Sequence, residues 1–123
     1  MSEDSTADRN LALESVRVTE VAAIAASRFM GGGDEKAADQ AAVAALHDAF
    51  GKLAFDGTIR IGEGTKDETD KLFVGEKIGT GEGPKMDIAL VALEGKSVVA
   101  RGGPNAMTVI AMAADGGFLT VPN

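Results

Sequence analysis

The sequence predicts an α+β fold, in which two N-terminal helices pack against a mixed or antiparallel sheet. Three observations predict it. Apolar residues recur at helical spacing through the first fifty positions. Short β-rich apolar runs follow, separated by Gly-rich and charged loops. The longest of these runs, Met86–Leu93, is nearly continuously apolar, as expected of a central strand covered on both faces. Helices first and strands afterwards is the order that places helices together on one sheet.

Taken along the chain, residues 1–9 are polar and expected to form a disordered tail, leaving 10–123 as one domain. A first helix is expected over about Asn10–Met30, with Leu11, Val18, Val21, Ala22, Ala25 and Phe29 on one face and Gly31-Gly32-Gly33 as its stop. Asp34 is a candidate N-cap for a second helix over about Glu35–Gly51. There Asp39 shares a face with Ala42, Val43, Leu46 and Phe50, so a carboxylate points where apolar side chains point. Such a group needs a cation or donors; alternatively, its place near the helix start lets it reach solvent or free N–H groups. His47, beside that face, reads as a surface or boundary residue.

Thr58–Ile61 is expected as a strand, with Ile59, Ile61 and Glu63 sharing a face by period two. Gly62 and Gly64 free the backbone around Glu63 but lack the Lys-Ser/Thr and spacing of a phosphate-binding loop. Thr65–Lys71 reads as a solvated charged loop, Leu72–Ile78 as a strand and Gly79–Lys85 as a loop. After Met86–Leu93 comes Glu94-Gly95, an acid presented at the end of a strand. Ser97–Ala100 fits a short strand or a turn. Ala106–Ala113 and Phe118–Val121 flank Asp115-Gly116 and are expected to pair as a hairpin.

Composition sets limits on function. The chain of 123 residues carries a net charge of −7 and shows no basic stripe, which argues against nucleic-acid binding. It has no cysteine and one histidine, which removes thiolate and multi-histidine metal sites. No apolar run reaches the length of a membrane span, and the polar start is unlike a targeting peptide, so the cytoplasm is the expected location. Aromatics make up only 4%, all phenylalanine. An alanine-rich core buries less area per residue, so low stability or a stabilising partner is expected.

Several segments, in order, resemble the class II fructose-1,6-bisphosphatases of the lithium-sensitive sugar-phosphatase superfamily. They include Arg17–Glu20, Ala37–Val43, Asp56–Thr58, Ile61–Gly64, Gly75–Pro84, Asp87–Ala89 and Gly103–Ala106. The resemblance runs from about Asn10 to the last residue. It implies a fold of alternating helical and sheet layers and a Mg²⁺- or Mn²⁺-dependent hydrolysis of the 1-phosphate of fructose-1,6-bisphosphate. It places Asp39, Glu63 and Glu94 at metal-ligand positions, where oxygen donors suit hard cations. The family motif Asp-Pro-x-Glu-Gly-Thr departs here: Val91 stands for the Asp, Ala92 for the Pro and Lys96 for the Thr. Val91 offers no ligand, and the Lys96 ammonium is a candidate to neutralise Glu63 and Glu94 without a metal.

The expected function is therefore that of a truncated, catalytically inactive homologue with no cofactor. It would act through self-association or through another protein that covers an exposed sheet. The alternative is a metal-dependent fructose-1,6-bisphosphate phosphatase with residual activity, or one completed by a partner chain, using Mg²⁺ or Mn²⁺ if the site survives. A gene remnant without a role is the third reading.

Overall fold

The computed structural model describes residues 3–119. Helix α1 spans Glu3–Ser27 and α2 Glu35–Phe50. Strands β1 (Asp56–Ile61), β2 (Lys77–Ile78) and β3 (Lys85–Glu94) follow, then a short helix α3 (Lys96–Arg101) and strand β4 (Met107–Ala114). The sheet order is β2-β1-β3-β4. The β1–β3 pair is parallel and the outer pairs are antiparallel, so this α+β fold has a mixed sheet.

α2 starts where its cap predicts: the Asp34 carboxylate accepts the Ala37 N–H at 3.0 Å. Ala38, Ala42, Leu46 and Phe50 form its buried stripe. α1 packs through Val18, Ala22 and Ala26, whereas Val21 is turned outward. α1 begins at Glu3, within the stretch expected as a tail. Residues 3–9 contain no Gly or Pro to stop a helix. The core joins these helices to Ile59, Ile88, Leu90 and Ala92 on one face of the sheet, with Phe50 and Phe55 in tilted contact at its end.

Other expectations change as well. The strand expected over Leu72–Ile78 shrinks to Lys77–Ile78. Leu72 is fully buried at a φ of 58°, so the chain turns sharply to bring one side chain into the core. Ser97–Ala100 lies in a helix, bracketed by Gly95 and Gly102 at φ 92° and 77°. The backbone N–H groups of Gly31 and Gly33 donate to Val99 and Ala100, which ties α3 to the turn between α1 and α2. β4 pairs antiparallel with β3 across α3, with Val91 opposite Val109, and of the expected second hairpin strand Phe118–Leu119 are described and lie outside any strand. Residues 120–121 fall beyond the described part. Finally, a bulge between Ile59 and Ile61 breaks the period-two pattern of β1 and puts those residues on opposite faces.

Among the described residues the sheet is covered on one face only, so the double cover expected for β3 is not seen there. On the open face Ile61, Val91 and Val109 are 43%, 37% and 43% exposed. The polar end of that face is closed by Asp87, which is buried and accepts from Arg60 Nε at 3.0 Å and Gly116 N at 2.9 Å. Among the described residues no helix is long and apolar enough to cross a membrane.

Candidate functional site

The candidate site lies where α2 and the segment after β1 approach the C-terminal end of β3. Glu63 is delivered by a tightly fixed loop. A Cβ on Gly62 would come 2.3 Å from the Leu72 carbonyl oxygen, so only glycine fits beside Leu72. The Glu63 N–H then donates to that same carbonyl at 2.9 Å, and Val74 N–H to the Gly64 carbonyl at 2.9 Å. Glu76 locks the arrangement: one of its oxygens accepts the Leu72 N–H, and the other lies 2.9 Å from His47 Nε2 on α2. His47, read from sequence as a boundary residue, is thus the link between α2 and this loop.

Asp39 and Glu63 line one cleft of about 590 Å³, together with Lys36, Glu68, Asp70 and Lys71. The charged loop Thr65–Lys71, expected to be merely solvated, supplies part of that wall. Glu94 stands apart, exposed at the end of β3, and Lys96 opens α3 on the exposed surface. So of the three candidate carboxylates the structure brings two to one cleft and leaves the third outside its lining. Among the described residues no three His, Cys, Asp or Glu side chains are placed to hold one metal ion.

The degenerate motif has a direct structural consequence. Glu63 Oε1 accepts the backbone N–H of Ala92 at 2.9 Å. A proline at that position has no N–H to give. Replacing it by alanine supplies a donor at the point where the carboxylate ends, and the departure from the family motif at position 92 is the sequence signal that could have revealed it. Burial raises the Glu63 carboxyl above its ordinary range; the Ala92 hydrogen bond opposes this, the Asp39 charge adds to it, and the Lys96 charge lowers it. Lys96 acts at a distance, since it forms no ion pair with Glu63 or Glu94 among the described residues.

The donor set does not fit the divalent metal that the family uses. Val91 puts hydrocarbon on the open face where a ligand carboxylate is expected, a backbone donor already draws on Glu63 Oε1, and Glu94 is not among the residues that line the cleft. A hard cation is held by the number and charge of its oxygen ligands, and both are reduced here.

Comparison with known proteins agrees with the resemblance read from the residues. The family described as "Bacterial fructose-1,6-bisphosphatase, glpX-encoded" matches residues 9–123. Fructose-1,6-bisphosphatase 1 class 2 of Escherichia coli strain K12 is 46% identical over 115 residues, which is 94% of this chain and 34% of that protein. The fructose-1,6-bisphosphatase class 2 proteins of Escherichia coli O6:H1 and Shigella flexneri give the same identity and coverage. The chain therefore spans about a third of the length of these relatives. It belongs to the family of glpX-encoded bacterial fructose-1,6-bisphosphatases and corresponds to an N-terminal part of them.

Proposed function

We propose that this chain is a catalytically silent member of its family and works by association through its open sheet. The observation that carries the reading is the Ala92 N–H on Glu63 Oε1, next to the hydrocarbon of Val91. A carboxylate that a metal would need is held by the backbone instead. The open face with Ile61, Val91 and Val109 supports a role in association, and a net charge of −7 suits a protein that remains dissolved in the cytoplasm.

A second reading keeps the chemistry of the relatives: a Mg²⁺- or Mn²⁺-dependent fructose-1,6-bisphosphate 1-phosphatase of carbohydrate metabolism, completed by a partner chain. What favours it is that Asp39 and Glu63 still share a cleft with Lys36 and Lys71, which could face an anionic substrate. Phosphate release from fructose-1,6-bisphosphate with either metal separates the two. The proposed reading predicts release at the rate of the protein-free control. Turnover that disappears in Glu63→Gln would favour the second reading.

A further inference from the structure

We draw no further inference here: the strongest candidate, the His47–Glu76 side-chain pair that joins α2 to the loop carrying Glu63, belongs to the site already described, and the structure describes a single arrangement of that loop.

Discussion

The two ends of β3 solve the same problem in opposite ways. At its start, Asp87 is 3% exposed and accepts a backbone N–H, from Gly116, and the Arg60 guanidinium touches it at 3.0 Å. Burial pushes its carboxyl up, but the Arg60 and Gly116 bonds and nearby positive charge together outweigh burial and hold it below the usual range. At the far end Glu63 also accepts a backbone N–H, from Ala92, but among the described residues no Lys or Arg pairs with it, and burial with the Asp39 charge leaves it raised. A backbone donor is common to both, so contact with a cation decides whether a carboxylate drawn out of water sits comfortably.

The largest effect should come from breaking the settled end. Asp87→Ala leaves Arg60 and the Gly116 N–H without their acceptor and should destabilise by about 2–3 kcal/mol in thermal or denaturant unfolding. The sign with pH follows from the lowered carboxyl. Its contribution is full above the unfolded value near 3.8 and is lost as pH falls through the lower folded value, so parent and variant should converge only in strong acid. Next in size is His47→Ala. Losing the 2.9 Å contact to Glu76 should cost about 1 kcal/mol and speed hydrogen exchange at the Glu63 amide, which the same loop protects. The smallest change has the opposite sign. Glu63→Gln keeps an acceptor for Ala92 and removes the charge, so it should stabilise by about 0.5 kcal/mol near neutral pH. A raised carboxyl favours the fold below its unfolded value near 4.5 and loses that advantage as pH rises through the folded value. The gain should therefore vanish below pH 4.5.

Much of the helical layer was legible because caps and periodicity are local: Asp34 before α2 and the stripe ending in Phe50 needed no tertiary knowledge. What was not legible depended on partners distant in sequence. The Leu72 turn is forced by burial of one side chain, and α3 forms because two left-handed glycines and the α1–α2 turn accept it. The pairing of β4 with β3 spans α3 and has no local sequence signal. At the site, the odd acid Asp39 and the motif departures at Val91, Ala92 and Lys96 were visible in the residues. That the Ala92 N–H lands on Glu63 was not, because it joins residues 29 apart through the sheet.

The central claim is that the C-terminal end of β3 has exchanged metal ligation for a backbone hydrogen bond. Calorimetric Mn²⁺ titration of the parent beside the triple reversion Val91→Asp, Ala92→Pro, Lys96→Thr tests it most directly. The reversion restores a ligand carboxylate, frees the Glu63 oxygen and removes a positive charge. It should bind Mn²⁺ at least about tenfold more tightly, the scale of one restored carboxylate interaction. A parent that binds Mn²⁺ as tightly as the reverted protein would contradict the claim.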